Sequence, residues 1–217
     1  MTKRKNYHYG DLRSRLVEVT SEILENEGID SLTMRSLSKK LGVSRTAAYR
    51  HFPDKASLLK AVAEDTFNMM RVYIHEKSAN EKKPLDRFEA ISNAYLEFAT
   101  RNSARYRQMF SREVVSEPGV PELREAAWKA FSEFMDVIET CQREGVFKQN
   151  DPVELANVAW ATVHGLSLLL IDGQIRTSED GISLHALLIN GYSKPSQSVT
   201  QIADATISML IEGFRKK

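Results

Sequence analysis

The chain has 217 residues, a formal net charge of +1, 42% hydrophobic residues, ten glycines and six prolines. That composition excludes a disordered or collagen-like chain and leaves enough length to bury one or two cores. The single cysteine, Cys141, excludes an internal disulfide and any Cys-x-x-Cys motif, and favours an intracellular, cytoplasmic setting.

The near-zero charge hides an asymmetry. Residues 1–52 hold ten Lys/Arg against six Asp/Glu, or +4, and the remainder is −3. A basic N-terminal part on a mildly acidic body suits approach to a polyanion with one end. Met1–Asn6 is a basic arm with Lys3, Arg4 and Lys5 in a row and no apolar run behind it, so no signal peptide is read.

The first helix is predicted from about Asp11 to Glu27, with Leu12, Leu16, Val19, Thr20, Ile23 and Leu24 as its apolar stripe and Gly28 as its stop. Ile29 and Leu32 are expected to pack into the same core from the connecting turn. Thr33 can then cap a second helix bearing Leu37 and Leu41 on one face. Gly42 suits the left-handed stop after it, and Ser44 can cap a third helix. That third helix carries Arg45, Thr46, Tyr49, Arg50 and His51 on faces not needed for packing. Two short helices, a tight Gly-containing turn and a basic second member make a helix-turn-helix, whose reading helix fits the roughly 12 Å major groove. Beside such a unit, the basic arm can lie along phosphates or enter the minor groove.

Pro53 halts the reading helix, and Asp54 can cap a long fourth helix reaching about His75, with Leu58, Leu59, Val62, Ala63, Phe67 and Met70 on its packing faces. Ser78–Pro84 reads as a surface loop. Helical spacing then predicts helices over about 85–101 (Phe88, Ile91, Tyr95, Phe98), 103–110 and 121–145 (Trp128, Phe131, Phe134, Met135, Ile138). Asp151 and Pro152 open a helix to about Asp172 that is apolar on nearly every side, yet Asn157, His164 and Gly165 break it short of a membrane span. Gly173–Gln197 gives no clear signal beyond an apolar patch at Leu184–Ile189, and a last helix runs over about 198–214.

Gly42-Val43-Ser44, then Tyr49-Arg50-His51-Phe52-Pro53-Asp54-Lys55 and Leu58-Leu59, resemble the DNA-binding domain of the TetR/AcrR family of bacterial transcriptional regulators. Tyr7-His8-Tyr9-Gly10-Asp11-Leu12-Arg13 and the distant Trp160-Ala-Thr-Val-His164-Gly165 are similar to the branch whose ligand domain is named for a Trp-His-Gly motif. Tyr9 stands where that branch more often has a second His, and Ala48 where leucine is usual. The resemblance is dense over the first quarter of the chain and thin beyond it. It implies an all-α protein: an N-terminal three-helix helix-turn-helix domain (8–60), joined by a shared linking helix (61–75) to a C-terminal helical bundle (76–217) that binds ligand and dimerises.

Arg45 and Arg50 have the fork geometry to bond guanine O6 and N7, and Thr46 can touch a thymine methyl. The resemblance adds Arg35 as a base contact, places Ser44, Tyr49, His51 and Lys55 on phosphates, and extends the DNA-binding set to Thr33 and Ala47. It implies a homodimer on a palindromic double-stranded operator, paired through helices 152–172 and 198–214. It also implies a small hydrophobic effector that releases a repressor. Tyr95, Phe98, Met109, Phe110, Trp128, Phe131, Met135, Trp160 and His164 are the candidates to line its pocket. An effector-free DNA-binding adaptor is the alternative, with a helical-bundle enzyme behind it. The histidines at 8, 51, 75, 164 and 185 show no metal-binding spacing, and no nucleophile elbow or phosphate loop is present, so no cofactor, metal or catalytic residue is expected.

Overall fold

The caps and stripes of the sequence set the elements of the computed structural model, which describes residues 9–115, 120–175, 177 and 197–216. Helices α1 (Tyr9–Glu27), α2 (Met34–Leu41), α3 (Arg45–His51) and α4 (Lys55–Ser78) come first, with a 3-10 turn at Ile29–Ser31. They are followed by α5 (Pro84–Arg101), α6 (Ser103–Met109), α7 (Arg112–Val115), α8 (Pro121–Arg143), α9 (Pro152–Ile171) and α10 (Val199–Phe214). An isolated antiparallel bridge pairs Phe147 with Arg215. The α4 helix outruns its predicted end by about one turn, and α7 is too short for periodicity to reveal. The basic arm, Tyr7, His8 and the patch at Leu184–Ile189 lie outside the described residues.

The chain divides into two compact units, one within Met1–Met69 and Asn102–Lys129, the other within Met70–Arg101 and Ala130–Lys217. This interleaving departs from the expected cut, which gave everything after residue 76 to one domain. The cause is α6, which buries Tyr106 and Met109 in the first unit. Its Arg105 amide donates to Glu25 of α1 at 3.3 Å, and Phe110 beyond it meets Phe67 edge-on at 5.5 Å. The α4 helix contributes to both units, its first fifteen residues to one and the rest to the other.

In the first unit, Leu12, Leu16, Ile23 and Leu24 of α1 close over Leu37, Leu41, Ala48, Phe52, Leu58 and Val62, with Ala104 of α6 packed against them. Burial of these side chains, about 1.5–3 kcal/mol each for the larger ones, holds three short helices that would be marginal alone.

The second unit is organised on Phe88, which is fully buried and meets Phe134, Phe147 and Phe214 at centroid distances of 6.3, 5.3 and 6.1 Å. Around it, α5 packs on α9 and α10. Asp151 caps α9 by accepting from the Val153 amide at 2.9 Å, and Ser198 and Gln201 form a reciprocal capping box on α10.

By length and composition α9 is long and apolar enough to cross a membrane, contrary to the expectation that its polar residues leave it short. A core helix of a bundle meets the same criterion, and α9 buries Leu155, Ala156, Ala159, Val163 and Leu166 within the unit. Its opposite side leaves Val153, Val158 and Leu169 exposed, Val158 by 50%.

Cys141 is buried on α8, and burial first, then the Glu144 charge, pushes its thiol up to about 12. At pH 8 it therefore stays protonated and shielded. An aromatic disulfide reagent is expected to titrate no thiol in the native protein and one after denaturation; rapid native labelling would contradict the packing of α8.

Candidate nucleic-acid interface

The Thr33 hydroxyl accepts from the Ser36 amide at 2.9 Å, and Ser36 Oγ accepts from the Thr33 amide at 3.0 Å. This capping box fixes the start of α2 and leaves Arg35 exposed in its first turn. Thr33 thus has a structural duty besides the DNA contact implied for it. Gly42 ends α2 at φ 67°, with its amide on the carbonyls of Lys39 and Ser38. A side chain there would strain the backbone, so the tight turn into α3 depends on glycine. Ser44 caps α3 by accepting from the Ala47 amide at 3.1 Å.

Ala48 alone on α3 is buried. Arg45, Thr46, Tyr49 and Arg50 are exposed, and Ala47 and His51 are half-buried. The basic side chains thus sit on the face turned away from the core, as a groove-reading helix requires. The small Ala48 lets α3 lie close to its own core. Two anchors hold the end of the helix. Phe52 is buried, and the Arg13 guanidinium of α1 stands 5.4 Å from its ring. Asp54 then accepts from the Ser57 amide at 2.7 Å, and this bond holds its carboxyl below the usual carboxylate range. Lys55 donates to the Ile29 carbonyl at 3.1 Å, tying the start of α4 to the turn before α2. Arg13 and the Lys55–Ile29 bond were not foreseen, because both join residues far apart in sequence.

The nine pocket candidates are divided between the two units. Met109, Phe110 and Trp128 belong to the first unit, where Met109 is buried, Phe110 meets Phe67 and Tyr106, and Trp128 is 60% exposed. In the second unit, Phe98 packs against Tyr73 at 6.0 Å, and Met135 is half-buried.

Tyr95, Phe131, Trp160 and His164 do converge. The Trp160 indole donates to the Tyr95 hydroxyl at 3.2 Å, and that hydroxyl lies 3.3 Å from His164 Nδ1. Phe131 meets Trp160 edge-on at 6.3 Å, and the Trp160 and His164 rings are 5.5 Å apart. Burial lowers the His164 pKa below the ordinary histidine value. The result is a half-buried aromatic surface with one internally bonded polar chain, the composition of a site for an apolar ligand. A separate groove of about 340 Å³ runs between α1 and α4 in the first unit, floored by Val17 and Ala61, with Arg13, Glu18, Asp65 and Arg105 around it. Its charges come in both signs and name no ligand class.

Comparison with known proteins matches residues 16–62 to the bacterial regulatory proteins of the tetR family and residues 88–192 to the tetracyclin repressor-like C-terminal domain. The nucleoid occlusion factor SlmA of Vibrio cholerae is 35% identical over 91 residues, 42% of this chain and 46% of that one. Its counterpart in a Marinomonas species is 27% identical over 149 residues, covering 69% and 73%. Against the Vibrio cholerae relative, the matched part of the chain spans about half of that protein's length.

Among solved structures, a protein of unknown function from Rhodococcus sp. RHA1 superposes with a TM-score of 0.78 at 25% identity, covering 98% of this chain and 100% of that one. The ketosteroid transcriptional regulator KstR2 of Mycobacterium tuberculosis gives 0.59 at 14% identity, covering 99% and 98%, a likeness of fold. The two family matches cover the helix-turn-helix and the helical part that follows it, and the chain belongs to the TetR family of DNA-binding bacterial transcriptional regulators.

Proposed function

We propose that the protein is a homodimeric repressor that reads a near-palindromic operator with two copies of α3 and is released by an uncharged, largely apolar effector. The observation that carries the DNA half is the face of α3: one buried alanine against Arg45, Thr46, Tyr49 and Arg50 turned outward. In this reading Arg45, Arg50 and Arg35 meet base edges, and Thr46 with Ala47 meets thymine methyls. Thr33, Ser44, Tyr49, His51 and Lys55 hold phosphates, which set register and strength.

Pairing is supported by the uncovered apolar residues of the last two helices, Val153, Val158 and Leu169 on α9 and Met209 on α10, the last 76% exposed. Such faces match the four-helix seam of a two-fold dimer. The effector half rests on the aromatic surface of Phe131, Trp160 and His164. Its Trp160–Gly165 motif falls inside the C-terminal matched segment, which also supports the Trp-His-Gly branch. Release requires the effector to bind the DNA-incompetent state more tightly, since equal affinity for both states shifts nothing.

A second reading, an effector-free DNA-binding adaptor, draws support from relatives named nucleoid occlusion factors. Selection of the purified full chain on randomised duplexes at moderate salt tests the DNA half. Enrichment of two-fold-related half-sites, about one helical turn or a multiple apart, is the expected result. A monomer with no preference among duplexes overturns it. An organic extract of the protein that carries a copurified apolar compound, and that compound's release of the selected duplex, favours the repressor over the adaptor.

A further inference from the structure

Helix α3 is short and lightly held. Of its seven residues only Ala48 is buried, with Ala47 packed in part against the same core. A methyl group makes few of the contacts whose sum holds a helix in one orientation, so the angle of α3 is set by something larger. That side chain comes one residue after the helix. Phe52 is 3% exposed in the core of the first unit, and its amide donates to the Ala48 carbonyl at 3.1 Å, which joins the ring to the last turn of α3.

The Arg13 guanidinium of α1 stands 5.4 Å from the centre of that ring, while the Arg13 side chain is 53% exposed. It therefore covers the ring from the solvent side. The other partner of the guanidinium is the Glu64 carboxylate of α4 at 3.9 Å. An exposed pair of that length adds little attraction, and its effect is to orient the cation. Arg13, Phe52 and Glu64 all lie in the first unit, so one side chain links α1, the end of α3 and α4 within it.

We propose that Arg13 is a positioning residue for DNA reading: it clamps Phe52 against the core, fixes the angle at which α3 presents Arg45 and Arg50 to the groove, and acts through that ring rather than on a phosphate. This rests on the reading of α3 given above and adds to it a residue outside the helix-turn-helix. Contacts to base edges need placement within about 0.5 Å, whereas a tilted helix still meets phosphates. The consequence of losing Arg13 therefore falls on sequence choice.

Arg13→Gln in the full chain tests this, since it removes a cation from a half-exposed position and spares the core. The selected duplex is expected to bind about two- to five-fold more weakly per half-site, or about five- to thirty-fold on a two-fold operator, a loss bounded by the worth of the cation over the ring. Affinity for non-specific duplexes and the salt slope should change little. Arg13→Lys keeps a cation within reach of the ring and is expected to retain most of the selected affinity. Equal losses on all duplexes, with a slope shallower by about one for each copy, overturn the proposal in favour of a phosphate contact. An unchanged selected affinity overturns it too, as does a lysine variant as weak as the glutamine one.

Residual dipolar couplings of the ¹⁵N-labelled full chain measure the angle between α1 and α3 with no DNA present. In Arg13→Gln the α3 couplings are expected to depart from the wild-type orientation while those of α1 and α2 keep it. Couplings of α3 that still fit the wild-type angle overturn the positioning role. A wild type with no preference among duplexes tells instead against the reading of α3, and the couplings then decide the role of Arg13 by themselves.

Discussion

Phe88→Ala is expected to lower the stability of the second unit by about 3–5 kcal/mol, the range for truncating a large buried aromatic. Phe88 has no solvent exposure and is the shared partner of Phe134, Phe147 and Phe214, which come from α8, the segment after it and α10. Its removal leaves a cavity lined by three rings that are themselves held in place. Phe147 and Phe214 meet at 5.4 Å, and the backbone around them is pinned, with the Lys148 amide on the Phe214 carbonyl at 2.8 Å. A site so fixed collapses poorly, which puts the loss toward the upper end.

The readout is available within the chain. Its two tryptophans fall one in each unit, so a Trp128→Phe background leaves Trp160 to report denaturant unfolding of the second unit alone. The midpoint should fall while the slope stays constant. A loss below about 1 kcal/mol would mean the rings close over the gap, and the organising role given to Phe88 would be wrong.

The difference between what was legible in the sequence and what was not follows the range of the interactions. Thr33, Gly42, Ser44, Asp54 and Asp151 were all readable as caps or stops, because a cap bonds amides within three residues of itself. The α3 face was equally legible, since a helix seven residues long has few ways to place one alanine inward. The interleaving of the two units was not. Helix α6 joins α1 through residues eighty positions apart, Arg105 and Glu25, and a stripe of apolar residues does not state which face it will meet.

The same limit explains the pocket candidates. Tyr95, Trp160 and His164 share a helical spacing of aromatics with Phe110 and Trp128, which belong to the first unit, and the Trp160–Gly165 motif does not name Tyr95 as their partner. Only coordinates distinguish the three that bond to one another. Arg13, named in the sequence only as the end of the Tyr7–Arg13 stretch, stands over the ring that ends the reading helix.

Arg45→Ala is expected to cost about 1–3 kcal/mol per half-site, the worth of a good bidentate base contact. On a two-fold operator the loss enters twice, giving roughly thirty-fold to twenty-thousand-fold weaker binding of the selected duplex. Non-specific duplexes should change little, because phosphates supply that affinity. Arg45 is exposed at the start of α3 and α3 buries only Ala48, so the fold should tolerate the change. Lys55 differs in kind. A phosphate contact there predicts a loss on all duplexes alike and a salt slope shallower by about one for each copy. Its bond to the Ile29 carbonyl complicates the alanine variant, which would also loosen the turn before α2. Lys55→Gln separates the two duties, since an amide still offers a donor without the charge: the salt slope should fall as it does for alanine while the melting temperature stays nearer the wild type. Sequence-blind losses of equal size from Arg45→Ala and Lys55→Gln would remove the distinction between base reading and phosphate anchoring on which the assignment of α3 rests.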